Sequence, residues 1–150
     1  MSNIKLNSIF KTVCIASDHA GFNLKEDIKN YLIEKKVSIF DIGPFVNASV
    51  DYPDFAKKLG NRIKQKKSDV GILVCGSGTG MAISANKIKS IRAAVCYNFK
   101  STRLSRQHNN ANIMALGSRL TNKKLSLKLV EIFLKTKFEG GRHNRRIKKI

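Results

Sequence analysis

Hydrophobic residues along this chain fall into short continuous runs, separated by stretches in which they recur every three or four positions. The first run, residues 13–16, predicts a strand. From Leu24 the apolar positions Ile28, Tyr31 and Leu32 form a helical stripe. Residues 37–42 predict a second strand, closed by the turn pair Gly43-Pro44. Pro53 suits the first turn of a helix, where its missing N–H falls on a position that needs none, and Phe55, Leu59 and Ile63 mark that helix's buried face. Residues 70–75 are apolar almost throughout, the pattern of a strand covered on both faces. A short helix follows Gly80, a fourth strand spans residues 91–96, and a helix covers 102–108. A fifth strand spans 112–116, and Leu125, Leu129 and Phe133 lie on a last long helix.

Strand and helix alternate throughout, which predicts an α/β fold with a five-stranded parallel sheet covered on both faces. Its 150 residues and 42% hydrophobic content suit one domain over residues 1–150, with 1–10 as a loose N-terminal arm. In open parallel sheets ligands bind beyond the carboxyl ends of the strands. The chemistry is therefore expected just after the first, third and fifth strands.

Composition narrows the class further. Cysteines stand only at positions 14, 75 and 96, with no CxxC pair and no metal-ligand spacing to histidine. They read as free thiols in a reducing, cytoplasmic setting. The first twelve residues carry Lys5 and Lys11 and no apolar stretch of the kind a secretory signal needs. No apolar run approaches the ~20 residues of a membrane span. The formal charge of +19 fits a lysine-rich surface or an attraction for anions, whether phosphorylated metabolites or nucleic acid. Only the tail, residues 142–149, is a dense basic cluster, and no nucleic-acid recognition motif accompanies it.

Cys75-Gly76-Ser77-Gly78-Thr79-Gly80 is the strongest local signal, following a buried strand and preceding a helix. Glycines let several backbone N–H groups approach an anion, and the helix dipole adds favourable potential there. The run is neither a Walker A motif nor a GxGxxG fingerprint. A thiol in that place reads either as a thiolate with lowered pKa or as a small core residue. Cys14 and Cys96, in or at the end of apolar strands, read as core. Asp18-His19 ends the first strand, as a helix cap or as a holder of a polar ligand. His108, within Arg106-Gln107-His108-Asn109-Asn110, is a solvated loop histidine or a general acid. Arg142 and Arg146 are four apart, so a helix would put both on one face to grip a phosphate; otherwise they belong to a solvated basic tail.

Taken together, Ser17-Asp18-His19-Ala20-Gly21-Phe22, Asp51-Tyr52-Pro53, the glycine loop, Ser84-Ala85-Asn86-Lys87, Leu104-Ser105-Arg106-Gln107-His108-Asn109, Gly117-Ser118-Arg119 and Glu139-Gly140-Gly141-Arg142-His143 resemble, in order and spacing, the B-type ribose-5-phosphate isomerase family. The resemblance runs from about Thr12 to Ile147. It implies a Rossmann-like three-layer α/β/α sandwich, a homodimer or tetramer with a shared active site, and interconversion of ribose 5-phosphate and ribulose 5-phosphate without metal or organic cofactor. By position, Cys75 matches the catalytic base and His108 the ring-opening proton donor. Asp18 and His19 match sugar contacts, and Gly76, Ser77, Gly78, Thr79 and Gly80 the anion-stabilising loop. Asn109, Arg119, Arg142 and Arg146 match the remaining substrate contacts, so that the basic segment at about 137–150 contributes to the phosphate site. Tyr52 would stand just behind these contacts.

Two departures bear on mechanism. Position 77 is Ser where many cysteine-type members have Thr, which keeps the hydroxyl. Another branch uses a Glu just after the glycine loop; here that position is Met81, which accepts no proton. The resemblance therefore implies a cysteine-type mechanism through a cis-enediolate. His143 matches a family position with no role assigned. The same superfamily contains galactose-6-phosphate isomerase subunits, so allose 6-phosphate or galactose 6-phosphate is the alternative substrate. A nucleotide- or nucleic-acid-binding module is the remote one; no acidic ribose-binding residue follows the loop, where the chain reads Asn98-Phe99-Lys100-Ser101.

Overall fold

Whether an apolar run lies in the middle of a sheet or at its edge depends on whether both of its faces find cover. In the computed structural model, which describes residues 4–150, five strands are paired entirely in parallel in the order β2-β1-β3-β5-β4. They are β1 (Thr12–Ser17), β2 (Ser38–Gly43), β3 (Val70–Cys75), β4 (Ala93–Val95) and β5 (Ile113–Gly117). The helices are α1 (Phe22–Glu34), α2 (Tyr52–Lys64), α3 (Thr79–Asn86), α4 (Phe99–Gln107), α5 (Lys123–Lys135) and α6 (Arg142–Ile147). The apolar run 70–75 takes the central position, and every one of its residues is buried.

Side chains alternate across the sheet and build two cores. Val13, Ile15, Val70, Ile72, Val74, Met114 and Leu116 face α1 and α5, where Ile28, Leu32, Leu129 and Phe133 are buried. Cys14, Ala16, Leu73, Cys75, Ile113 and Ala115 face α2 and α3, meeting Ala56, Leu59, Met81 and Ala85. The result is the three-layer α/β/α sandwich expected of the alternating pattern. The chain leaves β1 for β2 on one side and returns to β3 on the other, so the order reverses between β1 and β3. Their carboxyl ends flank the crevice where such sheets bind ligands. Among the described residues no helix is long and apolar enough to cross a membrane.

Three elements differ from the sequence pattern. The fourth strand is three residues rather than six, because only Ala93, Ala94 and Val95 pair with β5; on its free edge Asn86 stands in for a neighbour, Oδ1 accepting the Ala93 N–H at 2.7 Å and Nδ2 donating to the Ala93 carbonyl at 2.9 Å. The helix expected over 102–108 begins at Phe99, because Asn98 and Ser101 form a reciprocal cap; Asn98 Oδ1 accepts the Ser101 N–H at 2.8 Å. The stretch expected to be a loose arm is docked where it is described. Leu6 is buried and its N–H donates to the Lys35 carbonyl at 3.1 Å, and the Ile9 N–H donates to the Leu134 carbonyl at 2.9 Å. Residues 1–3 of that arm lie outside the described residues.

Candidate active site

Cys75 is the last residue of β3, and its side chain is 5% exposed. The chain turns sharply through the next three residues to start α3. Gly78 has φ 78°, a left-handed conformation, and a Cβ there would come within 3.0 Å of the Leu116 carbonyl carbon. Only glycine suits both constraints. The turn brings the Gly78 N–H back onto Cys75 Sγ at 3.1 Å. A sulfur at the head of a helix, receiving a backbone N–H, is placed where negative charge is favoured. The other two thiols are placed otherwise: burial pushes both Cys14 and Cys96 up to about 11. Ser77 and Thr79 are exposed on the loop, with Ser77 Oγ accepting the Thr79 N–H at 3.3 Å, while Gly76 is buried. Gly80 lies under the Tyr52 ring, whose atoms a Cβ would meet at 2.8 Å.

Adjacent strand ends supply the surroundings. The Asp18 N–H donates to the Val74 carbonyl at 3.1 Å, and Asp18 Oδ1 accepts the Gly21 N–H at 2.9 Å. One carboxylate oxygen thus holds the turn ahead of α1, and the residue stays at the mouth of the β1–β3 crevice. His19 is exposed beside it, its Nδ1 accepting the Val50 N–H at 3.5 Å. From β5, Ser118 N–H donates to the Cys75 carbonyl at 2.8 Å and Arg119 N–H to the Gly76 carbonyl at 3.0 Å. Ser118 Oγ donates to the Ala20 carbonyl at 2.8 Å, tying this loop to the first. Arg119 is exposed, and its guanidinium lies over Gly76, where a Cβ would stand 2.8 Å from Nη1. Asp18, His19, Tyr52, Cys75, the residues of the 76–80 loop and Arg119 are therefore gathered at one edge of the sheet.

The remaining candidates form a second group at the opposite edge. His108 and Asn109 follow α4 and precede β5, on the side where the strands begin. Between the two edges, from Ile113 to Gly117 beside Cys75, β5 climbs about 13 Å at ~3.3 Å per residue. Arg106, 3% exposed, fixes this turn: Nη1 donates to the Ala111 carbonyl and to Asn110 Oδ1, Nε donates to the Thr136 carbonyl, and the guanidinium stacks over Phe10. The exposed Asn109 offers its carbonyl to Arg92 Nε at 3.0 Å. The C-terminal segment docks here through the Glu139 N–H, which donates to the Gln107 carbonyl at 3.1 Å. It then turns through Gly140 (φ 67°) and Gly141 (φ 56°) into α6. The helix needed to align Arg142 and Arg146 is present, with both side chains exposed.

Sequence reasoning missed what surrounds His108. His143, 7% exposed, stacks on it with ring centroids 4.4 Å apart. Glu139 Oε2 stands 3.8 Å from His108 Nε2 and 3.7 Å from His143 Nε2. Burial, and then the neighbouring His108 and Arg142, hold the His143 imidazole below its ordinary value. The one available signal was the four-residue spacing of Glu139 and His143, which a helix start would align. Nothing in the sequence placed either beside His108.

The family model described as Ribose/Galactose Isomerase matches residues 13–150. Ribose-5-phosphate isomerase B of Escherichia coli (strain K12) is 40% identical over 140 residues, covering 93% of this chain and 94% of the relative. Among solved structures, a ribose 5-phosphate isomerase of Thermotoga maritima superposes with a TM-score of 0.90 at 51% identity, covering 92% of this chain and 95% of the other. Ribose-5-phosphate isomerase B of Mycoplasma genitalium, solved with bound ribulose-5-phosphate, gives 0.88 at 44% identity over 92% of each chain. With the fold, the strand-end loops and the near full-length similarity in agreement, the chain belongs to the ribose/galactose isomerase family.

Proposed function

We propose that the chain interconverts ribose 5-phosphate and ribulose 5-phosphate, with Cys75 as the base. The observation that carries this reading is the Gly78 N–H on the Cys75 sulfur at the head of α3. It is supported by family membership and by the Mycoplasma genitalium relative that holds ribulose-5-phosphate. The net charge of +19 favours a phosphorylated substrate at long range.

The site is completed by a second copy of the chain. One chain sets Cys75 and His108 at opposite edges of its sheet, so the His108 that serves a given Cys75 comes from a partner, and the smallest active unit is a homodimer. Arg142 and Arg146, on the same edge as His108, arrive with it. The three cysteines, all free and buried, fit a cytoplasmic setting.

The reaction starts from the closed sugar ring. His108 gives a proton to the ring oxygen while Asp18 takes the proton of the anomeric hydroxyl, and the C1–O ring bond breaks. Cys75 thiolate then removes the proton from C2. The C2–H electron pair forms the C1=C2 bond, and negative charge moves onto O1 of a cis-enediolate. N–H groups of the 76–80 loop meet that charge; one well-aimed donor contributes roughly 3–4 kcal/mol. Ser77 relays the proton of the C2 hydroxyl to O1, and Cys75 returns its proton to C1, giving the ketose. Asn109, His19 and the arginines hold the substrate so that C2 stays near the sulfur.

The deciding experiment is an isomerase assay on ribose 5-phosphate, allose 6-phosphate and galactose 6-phosphate side by side. Ribose 5-phosphate is expected to give the highest kcat/KM. Preference for a six-carbon substrate would reassign the sugar, and no turnover with any of the three would reject the reading.

A further inference from the structure

We propose that His108, Glu139 and His143 form a binding site for a zinc-class divalent cation, and that filling it switches the isomerase off. The switch rests on the reading of His108 as the ring-opening acid; the binding site does not.

The geometry leaves a gap of the right size. One carboxylate oxygen, Glu139 Oε2, faces two imidazole nitrogens, His108 Nε2 at 3.8 Å and His143 Nε2 at 3.7 Å. Both separations exceed a hydrogen bond, which would draw the atoms to about 2.9 Å. Across a tetrahedral zinc ion with bonds of about 2.0–2.1 Å, two donors stand about 3.3–3.4 Å apart. The three donor atoms already lie within 4.8 Å of one another, and closing on an ion requires the two stacked rings to tilt apart so that their in-plane lone pairs converge on it. The frame that holds them is fixed. Glu139 is anchored through its N–H on Gln107, His143 is packed at the start of α6, and Arg106 locks the turn that follows His108. The ion has a way in, since the His108 and Glu139 side chains are 37% and 50% exposed while His143 backs the site at 9%.

The donor set selects the class of cation. Two imidazoles and one carboxylate suit zinc and its first-row neighbours, whereas magnesium and calcium prefer oxygen donors. Three protein ligands leave a fourth position for water. Arg142 and Arg146 act electrostatically on His143 and oppose a cation, so binding is expected to be modest and sensitive to salt. Coordination through His108 Nε2 engages that nitrogen's lone pair and pins the ring. The histidine then has no proton on Nε2 to deliver to the ring oxygen, and its ring is held away from the cleft.

Cobalt(II) is a visible probe of such a site. Titrating the full-length protein with cobalt chloride should produce d–d absorption, and zinc chloride should remove it by displacement. Glu139→Gln, at an exposed position that leaves the core intact, should weaken cobalt binding at least about tenfold. His143→Ala should abolish it, and Cys75→Ala should leave it unchanged. Zinc should lower the wild-type rate on ribose 5-phosphate by about 100-fold or more, the low end of what positioned proton transfer contributes, with recovery on adding a chelator. Undiminished cobalt absorption in both Glu139→Gln and His143→Ala, or a thiolate-to-metal band that vanishes in Cys75→Ala, would overturn the site. Cobalt binding as described with no zinc inhibition would overturn the switch. Because absorption is read independently of turnover, an inactive wild type would reject the isomerase reading and leave the site's own test intact.

Discussion

The backbone N–H of Gly78 donates a hydrogen bond to Cys75 Sγ at 3.1 Å, across a turn that only a left-handed glycine can make. This contact places Cys75 at the head of α3, whereas Cys14 and Cys96 lie within the two cores, 0% and 1% exposed. Cys75→Ala is expected to lower kcat by about 10²- to 10⁴-fold or more while ribulose 5-phosphate still binds, as read by calorimetry. Alkylation of the folded protein by iodoacetamide at mildly alkaline pH should modify Cys75 ahead of Cys14 and Cys96. Near-normal turnover in Cys75→Ala would remove the proposed base.

Arg142 and Arg146 project from α6 on the edge opposite Cys75, where a partner's site would receive them. Loss of one charged hydrogen bond costs about 1.5–3 kcal/mol. Arg146→Ala should therefore raise KM for ribose 5-phosphate about 10- to 100-fold with a smaller change in kcat. Mixing Cys75→Ala with Arg146→Ala subunits should restore one intact site per mixed dimer. At ribose 5-phosphate concentrations well below the raised KM, where both parent variants are nearly silent, failure of such mixtures to exceed the activity of either parent would argue against a shared cleft.

Gly80 and Tyr52 are coupled through space. A methyl at position 80 would meet Tyr52 ring carbons at 2.8 Å, but the ring is 41% exposed and can be removed. Gly80→Ala should destabilise by about 1–3 kcal/mol, and adding Tyr52→Ala should recover much of that loss. Gly21→Ala has no comparable rescue, since its Cβ would lie 2.2 Å from the Val74 carbonyl oxygen. Thermal unfolding of the single and double variants measures the coupling, and strictly additive effects would refute it.

Lys25 is fully buried, and Asp41 answers its charge with both oxygens, at 3.0 and 2.8 Å. Burial pushes the Asp41 carboxyl up, but the hydrogen bonds from Lys25 and Lys29 outweigh it and hold the group below its usual value. A depressed carboxyl contributes stability that is fully present above its unfolded pKa of about 3.9 and is lost as pH falls through the lower folded value. Asp41→Asn leaves Lys25 with Glu26 alone and should cost about 3–5 kcal/mol at neutral pH. That gap should narrow as pH falls below about 4, because the wild type loses the same contribution there. Denaturant unfolding at neutral and acid pH reads it; a gap independent of pH would sink the account.

Much of the fold was legible because burial leaves a periodic trace. The continuous run 70–75 announced a central strand, and spacings of three to four residues announced α1, α2 and α5. Residues 91–96 misled because apolar character records burial and not pairing: Ile91 and Cys96 are buried outside the strand, and Asn86 takes the place of an outer neighbour. The docked segment around Leu6 carried too few apolar positions for any period to show. Lys25 gave no sign of burial, since its partner Asp41 is supplied by a different element.

By itself the sequence determined the alternating α/β order, the glycine turn after β3 and the chemical types of the candidate groups, because each depends on residues close together along the chain. Tertiary structure alone decided which groups meet. It set Asp18, Cys75 and Arg119 at one edge of the sheet and His108 with Glu139 and His143 at the other, because parallel strands send every strand end to the same edge and every helix end back to the opposite one. Distances between residues far apart in sequence follow from that packing and leave no period in the chain to read.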